Sequence, residues 1–275
     1  MPVTDAPSPP SRSRRHDVLG WLDRAATATT TPGPIAVARV GLALAALLSI
    51  FEYTALLFEE DRIRRPLLSL IPPVHGTAAV ALMIIGFTAG VCLAIGLLAN
   101  AMAALICLVQ VAYYVVDVQT YSSHHTLVIA LTALLAFAHS DAGWSLQARL
   151  SGRVHAVPWW PQLLMMVQLS VLYLFAGLSK INPIWLDGSV LADELRWSVP
   201  TAVQVGLACL TIVTEVALAL ALWHPRTRRW AVLVGILLHL SIVTMLRDPF
   251  ALVAFALACV PLYPLFLMRP SVPRD

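Results

Sequence analysis

Long apolar segments, each close to the length of a membrane-spanning helix, follow one another along almost the whole chain. A helix needs roughly 20 apolar residues to cross the hydrocarbon core of a bilayer. Eight segments bounded by proline, glycine or charged residues approach this length, at residues 34–58, 75–98, 100–117, 124–140, 159–180, 200–223, 229–246 and 249–268. The pattern predicts an all-α, polytopic membrane bundle of about eight transmembrane helices, the last of them kinked at Pro261 and Pro264.

The composition agrees with a chain whose main solvent is lipid. Hydrophobic residues make up 59% of the sequence and charged residues 12%, compared with about 25% charged residues in soluble domains. A net charge of +3 gives no indication of nucleic-acid binding. We predict a cytoplasmic tail at 1–30, partly disordered with a short amphipathic helix over 17–26, then one transmembrane domain at 31–270 and a short tail at 271–275.

Arginine residues are distributed unevenly between the two sides of the predicted bundle. With the N-terminus in the cytoplasm, eleven arginines lie on the cytoplasmic side, and five arginines and Lys180 lie outside. Because cytoplasmic loops carry an excess of positive charge, we predict N-in/C-in topology. The cluster EEDRIRR at 59–65 is the main exception and is expected to pair its own charges. This topology places Asp117, His124, His125 and Lys180 on the extracytoplasmic side.

Polar residues at helical spacing lie near three of the predicted helix ends. An ionisable group at membrane depth is costly and is usually paired or functional. Two sets follow the spacing i, i+4, i+7, which places each set on one helix face. They are Gln110, Tyr114 and Asp117 in the third segment, and Tyr173, Gly177 and Lys180 in the fifth. The third helix end is the start of the fourth segment, at His124 and His125.

Lys180 is the only lysine in the chain, and the other seventeen basic residues are arginine. A cation that only reaches the lipid headgroups could be arginine, as everywhere else in this sequence. A guanidinium stays protonated, whereas an amine can release its proton and act as a base. The position therefore predicts a catalytic base, while a lysine that extends to the headgroups remains an alternative.

The other polar residues have structural interpretations that compete with functional ones. Asp117 can end its helix, the tyrosines can be interfacial aromatics, and His124 and His125 can cap the fourth helix. We interpret Arg39 and Glu52 as structural residues that do not pair within their helix. Glu215 and His239, near mid-span in the sixth and seventh segments, are candidates to hydrogen-bond each other.

No metal site is predicted from these patterns. Side chains of adjacent helical residues such as His124 and His125 point about 100° apart. The pairing that suits one metal ion on a helix is i, i+4. The segment LDGSVLADELRWSV at 186–199 predicts a short amphipathic helix outside the membrane that can cover Lys180.

Two stretches of the sequence carry a family resemblance. YLFAGLSKINPIWLDG at 173–188 resembles the signature of the bacterial "horizontally transferred transmembrane" (HTTM) family, which is related to the membrane part of vitamin K-dependent γ-carboxylase. SSHHTLVIALTALLAF at 122–137 resembles the histidine-containing start of a membrane helix in that carboxylase. The residues that match the signature are Tyr173, Ala176, Gly177, Lys180, Trp185 and Gly188.

The resemblance implies a catalytic centre on the extracytoplasmic side of a bacterial plasma membrane. The lysine matching Lys180 deprotonates a reduced naphthoquinone of the vitamin K or menaquinol type, and a histidine matching His125 or His124 assists. Oxygen then adds, and the strong base that results takes a proton from a glutamate side chain, which captures carbon dioxide. Further candidates orient the quinol oxygens or line its ring pocket; they are Asp117, Tyr114, Tyr173, Gly177 and Trp185.

Two functions stay open at this point, with a transporter or a purely structural membrane module as the remaining alternative. The carboxylase has a large soluble portion after its membrane helices and this sequence ends at Asp275, so carboxylation of a propeptide-tagged protein is not expected. One reading is a quinol-dependent enzyme that acts on a secreted peptide or a small substrate. The other is a maturation or export factor that binds a secreted peptide, with a small partner protein and without quinone chemistry.

Overall fold

The protein is helical along nearly all of the chain that the structure describes. The structure, a computed structural model, describes residues 20, 24–58, 65–67, 76–247, 249–268 and 270–271. The helices are α1 (Gly33–Leu57), α2 (Gly76–Ile95), α3 (Ala99–Val116), α4 (Ser123–Leu135), α5 (Leu146–Ser151), α6 (Trp160–Ser179), α7 (Pro183–Leu186), α8 (Ser189–Glu194), α9 (Thr201–Ala221), α10 (Arg228–Met245), α11 (Pro249–Cys259) and α12 (Tyr263–Leu267). Short 3₁₀ helices at Val118–Thr120 and Val260–Leu262 join α3 to α4 and α11 to α12.

Seven helical stretches of the described chain are long and apolar enough to cross a membrane. They are α1, α2, α3, α6, α9, α10 and the stretch Phe250–Leu267, which the 3₁₀ turn at Pro261 interrupts where a kink was predicted. The predicted all-α, polytopic membrane bundle is therefore confirmed.

The fourth predicted span is shorter than expected. α4 has 13 residues, which extend about 20 Å at 1.5 Å per residue, and it ends at Leu135 instead of residue 140. The chain then forms turns through residue 145, in which His139 and Trp144 have positive φ angles of 48°. The sequence pattern predicts helix through residue 140 because residues 136–138 are apolar and include no proline or glycine.

Arg39 explains why these turns are stable inside the bundle. Its side chain is 1% exposed and donates hydrogen bonds from α1 to the carbonyl oxygens of Ser140 at 2.5 Å and Trp144 at 2.7 Å. A third carbonyl, that of Gly143, lies at 3.5 Å. Buried backbone carbonyls outside a helix need such donors, so Arg39 is structural, as expected.

α1 forms the centre of the bundle. In its most apolar 18-residue window 67% of residues are buried, compared with 17% to 39% in the other six spans. It packs against α2 on one side and α11 on the other, while α6 packs along α9. The outward faces of the other spans carry many exposed apolar side chains, as expected where hydrocarbon replaces water as solvent.

The two ends of the described chain meet on one side of the bundle. Thr29–Thr30 (β1) pairs antiparallel with Val157–Pro158 (β2), and Thr29 also bridges to Ser271 beyond the last helix. Ends on one side fit an even number of crossings, and an eighth crossing at α4 stays a prediction. Which side is cytoplasmic, and the division into tail and domain, remain predictions. Most of the helix predicted over 17–26 and of the charged cluster at 59–65 lies outside the described residues.

Candidate functional site

A cavity of about 700 Å³ lies between α6, α9, α10 and α11. This volume is in the range of roughly 300–1,000 Å³ that small-molecule sites occupy. Leu191 and Leu195, in and directly after α8, line it from the segment that was predicted to cover Lys180. The other apolar lining residues include Leu172, Phe175, Leu238, Ile242, Leu246 and Phe255.

One ion pair forms the polar wall of this cavity. Lys180 Nζ donates to both carboxylate oxygens of Glu215 at 2.7 Å and to the carbonyl oxygen of Ala176 at 3.2 Å. The side chains are 19% and 8% exposed, respectively. Because an ammonium group has three donors, these contacts satisfy it fully.

Close contact between α6 and α9 positions this pair. A Cβ atom at Gly177 would lie 2.7 Å from Val216 Cγ2 and 3.2 Å from the carbonyl oxygen of Ile212. Only glycine permits this distance between the helices. Lys180 follows one turn later at the end of α6, directly opposite Glu215.

A turn after α6 places an aromatic ring beside the amine. Asn182 caps α7 by accepting a hydrogen bond from the backbone N–H of Trp185 at 3.0 Å. The Trp185 indole donates to the carbonyl oxygen of Ala208 at 3.3 Å, and its ring centre lies 5.2 Å from Lys180 Nζ. The ring face therefore stabilises the ammonium form of Lys180 by cation–π attraction.

Substituting Gly177→Ala is expected to lower the free energy of unfolding by about 1–3 kcal/mol, because the added methyl group overpacks the contact between α6 and α9. Gly206→Ala is the matched control on α9, where no atom lies within 4 Å of the added Cβ. It should be neutral or stabilising, since alanine is the better helix former. Reversible denaturation in detergent measures both, and equal effects would contradict the close contact.

A second polar cluster joins α1 to the start of α4. Glu52 Oε2 lies 3.1 Å from His125 Nε2 and 3.4 Å from His124 Nε2. The two imidazole rings are in contact, with centroids 4.1 Å apart. The side-chain exposures of Glu52, His124 and His125 are 27%, 14% and 2%.

Buried aromatic and hydroxyl groups hold this cluster in place. The Tyr53 ring lies 4.1 Å from that of His125 and stacks on Tyr113 at 5.1 Å. The Tyr113 hydroxyl group is 2.7 Å from that of Thr54. Ser122 caps α4 by accepting a hydrogen bond from the backbone N–H of His125. The cluster thus has a rigid packed base and a partly open top.

The structure brings only some of the predicted site residues together. Lys180 and Trp185 line the cavity, whereas His124 and His125 belong to the cluster with Glu52. Ser123, which precedes His124, also lines the cavity, so the histidine cluster starts next to its wall. Their roles in catalysis stay predictions.

The remaining predicted residues lie outside the cavity lining. Tyr173 is buried and hydrogen-bonds His239 Nε2 at 2.8 Å and the Tyr263 hydroxyl group at 2.5 Å. Tyr114 contacts the ring of Tyr121. Asp117 accepts hydrogen bonds from the backbone N–H groups of Gln119 and Arg65, at 3.0 and 3.2 Å, and thus caps the 3₁₀ turn. Gly177 faces α9.

Two sequence-based interpretations are wrong. Glu215 and His239 do not pair with each other, because the close approach of α6 directs Glu215 to Lys180 and His239 bonds Tyr173. The argument against a metal site assumed that adjacent histidines diverge. His124 and His125 instead converge on Glu52, since both rings project from the first turn of α4 and rotate toward α1.

Glu52 and Glu215 are the residues that the sequence did not connect to a site. Each is an acid inside an apolar helix, which is the signal for a paired or functional group in a membrane. The signal identifies each acid but not its partner. The partners, His124 and His125 for Glu52 and Lys180 for Glu215, lie on or next to other helices that are distant in sequence.

Comparison with known proteins gives one result that covers nearly the whole bundle. A family model of the HTTM domain matches residues 28–270. No curated protein and no solved structure matches the chain. The match spans every long helix described above, including the cavity and the histidine cluster. This multi-pass membrane protein therefore belongs to the HTTM family, the family of the γ-carboxylase-like membrane domain.

Proposed function

We propose that this protein is a quinol-dependent enzyme in which Lys180 is the base, acting at the extracytoplasmic face of a bacterial membrane on a secreted peptide or small substrate. The observation that carries the proposal is the position of the only lysine, at the polar wall of an apolar cavity and paired with a carboxylate. Charged residues are rare and costly at membrane depth, and those that occur are usually paired and mark a functional site.

The cavity suits a reduced naphthoquinone. Its volume of about 700 Å³ and its leucine and phenylalanine lining accommodate a flat bicyclic ring with the start of an isoprenoid chain. Lys180 and Glu215 are the charged groups of that lining and can hydrogen-bond a ring hydroxyl group. When bound, such a quinol would supply electrons for oxygen-dependent chemistry.

Lys180 and Glu215 together can move one proton. In its neutral form, Lys180 Nζ accepts the proton of a ligand hydroxyl group, forming an N–H bond while the O–H electron pair stays on oxygen. The resulting ammonium is stabilised by Glu215 at 2.7 Å and by the Trp185 ring. Glu215 can then take the proton and return the amine to its neutral form. The apolar walls of the cavity exclude water that would compete for the proton.

The predicted assistance by His125 or His124 requires a ligand that extends from Lys180 past Ser123. Ser123 lines the cavity and begins α4, so a quinol ring seated against it would lie next to the histidine cluster. The alternative function, a maturation or export factor for a secreted peptide, would use the same apolar cavity for peptide side chains, without proton transfer by Lys180.

Filling the cavity is expected to remove a bound quinone. Leu238 lines the cavity from α10, and Leu238→Trp should lower the naphthoquinone content of the purified protein at least about fivefold, because the indole takes the ring's volume. Organic extraction followed by mass spectrometry measures this content.

The matched control is Leu240→Trp on the same helix, where Leu240 is 56% exposed on the bundle surface and lies outside the cavity lining. It should retain the naphthoquinone. A wild-type protein that carries no naphthoquinone but co-purifies with a peptide would overturn the enzyme proposal and favour the maturation factor.

A further inference from the structure

We infer that Glu52, His124 and His125 bind a divalent transition-metal ion of the Zn²⁺ type. One potential ligand atom from each residue lies within 4.8 Å of the other two. Two imidazole nitrogens and one carboxylate oxygen are a ligand set that Zn²⁺ takes in sites with an open fourth position. None of the three residues lines the cavity, so this inference does not rest on the proposed role of Lys180 as base.

The distances fit an ion that the three groups share. Ligands at about 2.0–2.1 Å from a tetrahedral ion lie roughly 3.3 Å from one another. Glu52 Oε2 lies 3.1 and 3.4 Å from the two Nε2 atoms, so a small shift of the side chains places an ion between them.

The tautomer of His125 gives an independent reason for a cation. Its Nδ1 lies 3.1 Å from the backbone carbonyl oxygen of Thr120, and a carbonyl can only accept, so Nδ1 carries the proton. In the neutral ring Nε2 then presents a lone pair to the Glu52 carboxylate at 3.1 Å, which is repulsive. Either a second proton or a metal ion must lie between them, and a carbonyl bonded to the outer nitrogen is the usual support of a metal-bound histidine.

The surroundings of His124 allow the same role. Its Nδ1 lies 3.0 Å from the Ser122 hydroxyl group, which can accept a hydrogen bond from Nδ1–H. Nε2, 3.4 Å from the same hydroxyl group, then keeps its lone pair for an ion. The partial exposure of Glu52 and His124, 27% and 14%, leaves a fourth position open to water. A bound ion would also fix the start of α4 to α1.

Zinc binding by the full-length protein in detergent tests this inference. After chelator treatment and removal of the chelator, the wild type should take up one Zn²⁺ per chain on titration with zinc chloride, measured by elemental analysis and calorimetry. Glu52→Gln keeps the shape but removes the anionic ligand, and His125→Ala removes an imidazole. Both should weaken binding about 100-fold or more, since losing even a supporting contact costs 10–100-fold.

His155→Ala is the matched control, because His155 is exposed and its ring hydrogen-bonds the neighbouring Ala156 carbonyl oxygen. It should bind zinc like the wild type. Zinc should also raise the unfolding temperature of the wild type but not of Glu52→Gln, which separates ligand loss from misfolding. A wild type that binds no zinc would mean that a proton occupies this position, and a Glu52→Gln variant that binds zinc equally would mean that zinc binds elsewhere. Either result would overturn the inference.

Discussion

Under the proposed function, Lys180→Arg is expected to slow oxygen-dependent consumption of reduced menaquinone strongly while leaving the bundle and its naphthoquinone content unchanged. The arginine keeps the positive charge and can bond both oxygens of Glu215, but its guanidinium holds its proton. General-base catalysis contributes about 10²–10⁴-fold to a rate, so a loss of at least about 100-fold should follow. Anaerobic loading with the quinol, addition of oxygen and optical detection of quinone formation measure it.

Two further measurements make the Lys180→Arg result specific. Arg153→Lys, the reverse exchange at an exposed residue, should leave the rate unchanged. Naphthoquinone content after purification should match the wild type, which separates lost proton transfer from lost binding. A Lys180→Arg protein with wild-type turnover would refute the role of Lys180 as base, and retained peptide maturation would favour the binding factor.

The sequence was sufficient for the parts of the fold that depend on local pattern. Apolar runs of spanning length predicted the positions of α1, α2, α3, α6, α9 and α10 within a few residues. The rule behind this prediction is that a segment in hydrocarbon must hydrogen-bond its own backbone groups and therefore forms a helix. The rule fails for α4. There Arg39, just over 100 residues earlier, satisfies the carbonyl groups of Ser140 and Trp144, so an apolar stretch can leave the helical conformation.

The sequence was only partly sufficient for the site. The uniqueness of Lys180 is a property of composition and needs no structure. Its partner Glu215 depends on the contact between α6 and α9 at Gly177, which a spacing rule cannot show. For His124 and His125, the helical angle of 100° describes where side chains leave the backbone, whereas ring rotation at the first turn of α4 decides where the nitrogens meet.

Removing one member of the Lys180–Glu215 pair is expected to cost more stability than removing both. Lys180→Met leaves the Glu215 carboxylate, 8% exposed, without its cation, and Glu215→Met leaves the ammonium without its anion. Breaking a buried pair in this way costs about 3–5 kcal/mol, whereas replacing both groups with apolar side chains of similar volume is often neutral. The double variant should therefore unfold within about 1 kcal/mol of the wild type.

A double-mutant cycle with reversible denaturation in detergent measures this coupling. Lys180→Met should be the more destabilising single change, because Lys180 is 19% exposed and can extend toward the cavity opening when Glu215 is lost, whereas Glu215 has no such route. If the two single effects simply add in the double variant, the residues do not interact as the 2.7 Å contacts require. A double variant that is as stable as the wild type but inactive would show that the fold does not need the ion pair, because two methionines would pack equally well. The pair would then serve proton transfer.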